Sequence, residues 1–289
     1  MAILLKGAPV AADISKKLED RAKALLEKGV IPTLAIVRMG EKAGDLAYEH
    51  AAINRCERLG MKVQVKALEE SAAQSELIAA IETINADASV HGCLILRPLP
   101  EHIDEEAACE AVAPEKDVDC VTSYSLSRVF SSHGGGFQPC TAQACIELLD
   151  YYGYELSGAR VSVIGRSLVV GRPLSIMLQD RDATVTMCHS KTRKLYKACR
   201  NKEILIVAAG HAGIVRETFV NPEQTIIDVG INDDGRGGVT GDVCFERIEP
   251  LVAAITPVPG GVGAVTAAIL AKHLIIAAEN TLHNPGDIK

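Results

Sequence analysis

The feature that most constrains this chain is an alternation, repeated through both halves, of short apolar runs with segments whose apolar residues recur at helical spacing. Residues 33–38 (TLAIVR) form an apolar run after Pro32. Residues 44–59 follow with Leu46, Ile53, Cys56 and Leu59 on a helical period, and Gly60 stands where a helix would stop. Lys62–Leu68 alternates as a strand, residues 73–86 read as an amphipathic helix, and residues 90–96 read as a buried strand ended by Pro98 and Pro100. The second half repeats the rhythm, with strands at 160–165, 183–188, 203–208 and 224–230. Helices are expected at about 141–152, from Gly171, between the strands at 183–188 and 203–208, and at about 264–280. Strands separated by helices imply parallel sheets with right-handed crossovers, and such unbroken apolar strands belong to sheets covered on both faces. The predicted fold class is α/β.

At 289 residues the chain is long for one hydrophobic core, which favours two α/β domains. A polar, Gly-rich stretch at 131–136, downstream of Asp117-Val118-Asp119, marks the expected crossing. A net charge of −7 argues against a nucleic-acid or polyanion partner, while leaving room for a local basic pocket. The nine cysteines include no CxxC pair and several sit in apolar runs, so they read as reduced, buried thiols rather than metal ligands. The N-terminus is too early-charged for a signal peptide, and no apolar run reaches the roughly 20 residues of a membrane span. A cytoplasmic protein is expected.

The segment from Val161 to Pro173 (VSVIGRSLVVGRP) is a strand, a glycine turn and a helix start. Gly165 permits a tight turn, Gly171 permits close approach at the helix N-terminus, and Pro173 suits a first helical turn. Free N–H groups there suit a phosphate. The spacing is not GxGxxG, and a plain strand–helix connection would use the same glycines. Where NAD-binding units commonly place a carboxylate about 20 residues on, this chain has His189-Ser190-Lys191-Thr192, and Arg166 lies in the turn itself. Cations and hydroxyls in place of a carboxylate favour NADP, although solvated loop residues would look the same.

Several motifs in order then resemble the bifunctional methylenetetrahydrofolate dehydrogenase/cyclohydrolase family over nearly the whole chain. They are Leu99-Pro100, Lys116-Asp117-Val118-Asp119, Pro139-Cys140-Thr141, Gly165-Arg166-Ser167 to Gly171-Arg172-Pro173, and His189-Ser190-Lys191-Thr192. Further along come Asp228-Val229-Gly230-Ile231-Asn232, Gly241-Asp242-Val243 and the run from Thr256 to Gly263 (TPVPGGVG). The resemblance implies a folate/catalytic domain at 1–138 plus 270–289 and a Rossmann-like NADP-binding domain at 139–269, with the active-site cleft between them. It also implies a homodimer acting on 5,10-methylenetetrahydrofolate. The family's stacking tyrosine falls on Tyr48 and its pterin-binding aspartate on Asp119, the two expected catalytic residues. Leu96, Pro259, Gly260 and Gly261 fall at substrate-binding positions. Gly165, Arg166, Ser167, Gly171, Arg172, Pro173, His189, Ser190 and Ile231 fall at cofactor-binding positions.

Two departures fall on one functional pair. The family reads tyrosine, three residues, lysine, and that lysine is central to cyclohydrolase chemistry; here Ala52 occupies the position. The glutamine that precedes Leu-Pro-Leu-Pro in the family is here Leu96, followed by Arg97. His50 lies two positions from Ala52 and should face elsewhere on a helix, and strand alternation would turn Arg97 opposite to Leu96, as a surface or cleft-edge charge. Hydride transfer from the methylene bridge needs positioning rather than a protein base, whereas ring opening needs proton transfers worth typically about 10²–10⁴-fold. The expected function is an NADP-dependent methylenetetrahydrofolate dehydrogenase with cyclohydrolase activity lost or strongly reduced. The alternatives are the bifunctional enzyme, which also makes 10-formyltetrahydrofolate, and a non-catalytic folate/NADP-binding protein. Smaller departures are Cys120, where glycine is usual, and Ala142, where proline is usual.

Overall fold

The computed structural model describes residues 1–131 and 135–282, and the middle of the Gly-rich stretch expected at the crossing lies outside them. The first elements in chain order are β1 (Ile3–Leu4), α1 (Gly7–Glu27), β2 (Thr33–Met39), α2 (Ala43–Arg58), β3 (Lys62–Leu68) and α3 (Gln74–Ala86). They are followed by β4 (Gly92–Ile95), α4 (Glu105–Glu110), α5 (Ser123–Ser131) and α6 (Cys140–Tyr151). Next come β5 (Arg160–Ile164), α7 (Gly171–Gln179), β6 (Thr184–Cys188), α8 (Leu195–Arg200), β7 (Ile204–Val207) and β8 (Thr225–Asp228). The chain closes with β9 (Asn232–Asp233), β10 (Val239–Thr240), α9 (Phe245–Ile248), β11 (Ala254–Ile255) and α10 (Val262–Asn280).

The chain divides into two units, Asp13–Cys140 with the residues from Ala267 on, and Met1–Ala12 with Thr141–Thr266. The first holds a parallel three-stranded sheet in the order β3-β2-β4. Val37 and Ile95 of its strands pack with Leu77, Ile81 and Ile84 of α3 in one core cluster. Those α3 positions are spaced to line one helical face, and deleting one, as in Leu77→Ala, should cost about 2–5 kcal/mol. Lys116 ends α3 in an unusual way: its Nζ donates to the carbonyls of Ile84, Asn85 and Asp87 at 2.7, 2.9 and 2.7 Å. A cation on the orphan carbonyls of a helix C-terminus satisfies both partners, so this buried charge is structural.

The second unit holds a six-stranded parallel sheet in the order β1-β11-β8-β7-β5-β6. Chain order runs outward from β5 in both directions, to β6 on one side and to β7, β8 and β11 on the other, which puts the topological switch between β5 and β7. β7 and β8 are buried at every position, and Leu205, Val207 and Ile226 share a core cluster with Val215, Ile248 and Ile255.

Four helices, α1, α4, α5 and α9, lie outside those read from the sequence. In α1, Val10, Ile14, Leu18, Ala22 and Leu25 are buried at helical spacing. α5 ends where the polar, Gly-rich stretch at 131–136 begins, and its buried residues are Ser125 and Val129. Helix α10 qualifies the expectation that no apolar run reaches roughly 20 residues: at 19 residues it is long and apolar enough to cross a membrane by length and composition, and most of it is buried inside the fold. Eight of the nine free cysteines are buried, and Cys244 is half-buried.

Candidate active site

The carboxyl ends of the six-stranded sheet gather most of the residues singled out in the second half. Gly165 follows β5 with φ +130°, and a Cβ there would strike the carbonyl of Ala208, which follows β7. Gly171 opens α7, where a Cβ would strike the carbonyl of Gly165. The turn between them is closed by Val170 N donating to Ser167 Oγ at 3.2 Å and Arg172 N to Ser167 O at 3.0 Å. Arg166, Ser167, Leu168 and Val169 are left exposed. A strand, a cradle that admits no Cβ and an open helix N-terminus at the switch point together form a seat for a diphosphate.

After β6, the N–H of His189 donates to Thr192 Oγ1 at 2.9 Å and the N–H of Lys191 donates to His189 Nδ1 at 3.2 Å. The second bond makes Nδ1 an acceptor, so a neutral His189 carries its proton on Nε2. Ser190, Lys191, Arg193 and Lys194 are exposed around it, with no carboxylate in the run. A negatively charged 2′-phosphate is therefore favoured over a bare ribose hydroxyl.

After β7 and β8, one buried carboxylate sets the loops. Asp242 accepts from the N–H groups of Ala209, Gly210 and His211 at 2.6, 3.0 and 2.8 Å, and from Asn232 Nδ2 at 2.9 Å. Asp228 accepts from the N–H groups of Gly230, Asp242 and Val243 at 3.0, 3.0 and 2.9 Å. Ile231, between these anchors, is 66% exposed. After β11, Gly260 has φ +101° and its carbonyl accepts from Gly7 N at 2.8 Å, with Pro259 exposed and Gly261 buried.

In the other unit, Tyr48 and Ala52 stand one turn apart on α2, Tyr48 half-buried and Ala52 buried. The loop carrying Asp119 is fixed by its neighbour: Asp117 accepts from Val121 N, Thr122 N and Thr122 Oγ1 at 2.8, 2.9 and 2.7 Å. Cys120 has φ +58°, the left-handed region, which explains why glycine is the usual residue there. Asp119 itself is met by the backbone N–H and thiol of Cys140, at the start of α6, and by Arg97, whose Nη2 lies 4.0 Å from Oδ2. Burial pushes the Asp119 carboxyl above the ordinary range, and the Arg97 charge opposes that push. The Tyr48 phenol and the Cys140 thiol are both raised, first by burial and then by the Asp119 charge, so both stay protonated.

Residues 5–119 match the model of the tetrahydrofolate dehydrogenase/cyclohydrolase catalytic domain, and residues 139–282 match the model of that family's NAD(P)-binding domain. The chain belongs to this family. It is 44% identical over 276 residues to the bifunctional protein FolD of Clostridioides difficile (strain 630), covering 96% of each chain. Among solved structures it resembles the bifunctional FolD methylenetetrahydrofolate dehydrogenase/cyclohydrolase of Campylobacter jejuni, with TM-score 0.93 and 37% identity, covering 97% of this chain and 100% of that one. It also resembles the Trypanosoma brucei dehydrogenase-cyclohydrolase complexed with NADP and an inhibitor, with TM-score 0.92 and 33% identity, covering 98% and 99%. The two-domain α/β architecture with a Rossmann-like domain is that of this oxidoreductase family.

Against this family frame, Tyr48, Leu96 and Asp119 lie in one unit, and Gly165 to Pro173, His189, Ser190, Ile231 and Pro259 to Gly261 lie in the other. His50 is exposed on α2, as the helical angle from Ala52 requires. Arg97, expected as a surface or cleft-edge charge, is half-buried with its Nη2 4.0 Å from Asp119 Oδ2; β4 ends at Ile95, so strand alternation does not extend to position 97. Sequence reasoning also assigned no site role to Asp242, Asp228 or Cys140. The signal for the two aspartates was present in the paired runs Asp228-Val229-Gly230 and Gly241-Asp242-Val243, where glycine beside aspartate marks close approach. A Cβ on Gly230 would strike Asp242, and one on Gly241 would strike Asp228.

Proposed function

We propose that this chain oxidises 5,10-methylenetetrahydrofolate to 5,10-methenyltetrahydrofolate with NADP as hydride acceptor, and that its cyclohydrolase activity is lost or strongly reduced. The observation that carries the second half is the pair Ala52 and Leu96, 1% and 5% exposed, neither with a titratable atom. Water addition to the methenyl cation and ring opening require proton transfers, and a side chain positioned to mediate them typically contributes about 10²–10⁴-fold. Tyr48, held protonated, stacks on and orients the substrate, and Asp119 takes the pterin. The reaction needs no proton moved by the protein in its hydride step, so orientation and exclusion of water are what these residues supply.

NADP, when bound, supplies the two-electron acceptor. The residues present fit it: the Gly165–Gly171 cradle and the α7 N-terminus suit the diphosphate, while His189 and Ser190 with Arg166 and Lys191 suit the 2′-phosphate. In this reading the NADP-binding domain lies within residues 139–269 and the folate domain is drawn mainly from residues 1–138 and the helix after 270, while the first twelve residues, expected in the folate domain, add β1 to the edge of the six-stranded sheet; the chain acts as a cytoplasmic homodimer. The bifunctional reading is supported by relatives such as the C. difficile protein, whose name carries both activities.

The test mixes purified protein with methylenetetrahydrofolate and NADP and follows NADPH, methenyl and 10-formyl products against a no-enzyme control. NADPH with methenyl product clearing only at the control rate is expected. Enzymatic formation of the 10-formyl product well above control would overturn the loss of cyclohydrolase, and equal kcat/KM with NAD would overturn the cofactor preference.

A further inference from the structure

Arg97 occupies a position where the family's run has leucine, and the structure gives it two carboxylate neighbours. Its Nη2 lies 4.0 Å from Asp119 Oδ2 and its Nη1 lies 3.8 Å from Glu105 Oε1. Glu105, at the start of α4, is held in turn by the N–H of Leu99, which donates to Oε2 at 3.1 Å. Glu105, Arg97 and Asp119 thus form a chain of charges whose outer member is fixed to the backbone just after Arg97 itself. The side chains of Arg97 and Asp119 are only 21% and 19% exposed, so their attraction is less screened than that of an open surface pair.

The groups facing Asp119 are Arg97, the thiol and N–H of Cys140, Asp117, Cys120 and Tyr48. Those facing Arg97 are Asp119, Glu105, Cys109 and Cys120. Among these described groups, Arg97 is the cation; Asp117 is a like charge, the two thiols and the phenol are neutral, and His273 stands behind the Cys140 thiol with Nδ1 3.6 Å from Sγ. The pyrimidine edge of a pterin offers adjacent N–H donors, which an ionised carboxylate accepts side by side; a protonated carboxyl would set its own O–H against one of them. An isolated carboxyl withdrawn from water drifts toward that protonated form.

We propose that Arg97 is a positioning residue for the substrate: it holds Asp119 as the carboxylate that the pterin requires and fixes the direction in which that carboxylate faces. This inference rests on the reading of the chain as a folate enzyme with Asp119 on the pterin. Its consequence is that folate binding persists to lower pH than it would with leucine at position 97. Binding weakens as pH falls through the titration of Asp119, and removing the guanidinium moves that midpoint upward.

The test is calorimetric titration with 5-formyltetrahydrofolate, a folate that is not oxidised, from about pH 5.5 to about pH 8.5. It compares the natural protein, Arg97→Gln, Arg97→Leu and Arg97→Lys, with Asp119→Asn as the baseline for pH effects belonging to the ligand. Arg97→Gln keeps polar bulk and drops the charge, so a folding defect confined to Arg97→Leu does not decide the result. The two neutral variants are expected to move the midpoint up by about one pH unit, which is about tenfold weaker binding below it and convergence with the natural protein above it. Arg97→Lys is expected to restore most of the shift. A loss that is equal at every pH, or no loss in either neutral variant, would overturn the proposal. Turnover of methylenetetrahydrofolate is measured separately on the natural protein. Its absence with pH-dependent binding intact would sink the dehydrogenase reading alone, and absence of folate binding would sink both.

Discussion

The backbone N–H of Asp242 donates to Oδ1 of Asp228 at 3.0 Å, joining two buried carboxylates into one hydrogen-bonded frame beneath the loops that follow β7 and β8. Asp242 then orders three consecutive N–H groups, Ala209 to His211, and the side chain of Asn232. Asp242→Ala leaves those donors without their acceptor, and buried bonds to a charged group are worth about 1.5–3 kcal/mol each before relaxation. The variant is expected to lose roughly 3 kcal/mol in a denaturant titration and to raise KM for NADP more than KM for folate. Unchanged stability would show that water replaces the carboxylate without loss.

Asp228 gives a pH dependence with a definite sign. Burial pushes its carboxyl up to about 6, against the pull of three backbone N–H donors, and the Asp242 charge adds to the push. A carboxyl raised on folding binds its proton more tightly in the native state than in the unfolded chain. Its contribution to stability is therefore full below the unfolded value of 3.8 and is lost as pH rises through about 6. The difference amounts to at most about 3 kcal/mol. A carboxyl carbon resonance titrating near 6, absent in Asp228→Asn, is the expected observation, and a midpoint below 4 would contradict it.

The glycine cradle is testable by the smallest possible addition. Gly171→Ala would drive a methyl into the carbonyl of Gly165, and Gly165→Ala would both strike Ala208 and require φ +130° of an L-residue. Because backbone, not a flexible side chain, is the obstacle, the turn must open. Each variant is expected to lose more than about 2 kcal/mol and to weaken NADP binding at least tenfold. Binding of a folate, followed in the same samples, should change less.

Much of this was legible in the sequence, and the failures have physical causes. Strands such as β2 and β5 are buried on both faces, so their apolar runs and flanking turns identify them without tertiary information. The cofactor turn was legible because glycine is a backbone statement: Gly165 and Gly171 report close approach whatever the family. The carboxylate partners of Arg97 were not legible because period-two alternation holds only inside a strand, and β4 stops two residues earlier. α5 carries a clear helical period and was passed over because it is a short, Ser-rich segment of nine residues that buries only Ser125 and Val129. The Asp228–Asp242 frame depends on segments 14 residues apart folding onto each other, which local pattern does not register.

Cys120 tests a departure of a different kind. Its φ of +58° costs an L-residue about 1–2 kcal/mol that glycine does not incur, while its buried thiol returns part of that by packing. Cys120→Gly is therefore expected to stay within about 1 kcal/mol of the natural protein. Cys120→Val, β-branched in the same conformation, should lose more than about 2 kcal/mol and displace the neighbouring Asp119, raising KM for folate. Equal stability of the two variants in a thermal melt would mean that the loop relaxes out of the left-handed region.

The proposed loss of cyclohydrolase can be challenged by introducing the pair that the family's run carries. Ala52 is 1% exposed, so Ala52→Lys alone places an amine where water has been excluded; it should lose about 1–3 kcal/mol and gain little activity. Leu96→Gln alone introduces an amide with nothing to tune. Together they supply a proton-transferring group and a hydrogen-bond partner on the two segments that carry these functions in the family. The double variant is expected to form 10-formyltetrahydrofolate at least tenfold faster than the natural protein, beyond the product of the two single effects, with dehydrogenase kcat reduced by less than that factor. If the double variant is folded and still clears methenyl product only at the uncatalysed rate, the proposal that these two positions account for a lost cyclohydrolase is overturned. The comparison would then turn to the charge at Arg97, beginning with the triple variant that adds Arg97→Leu.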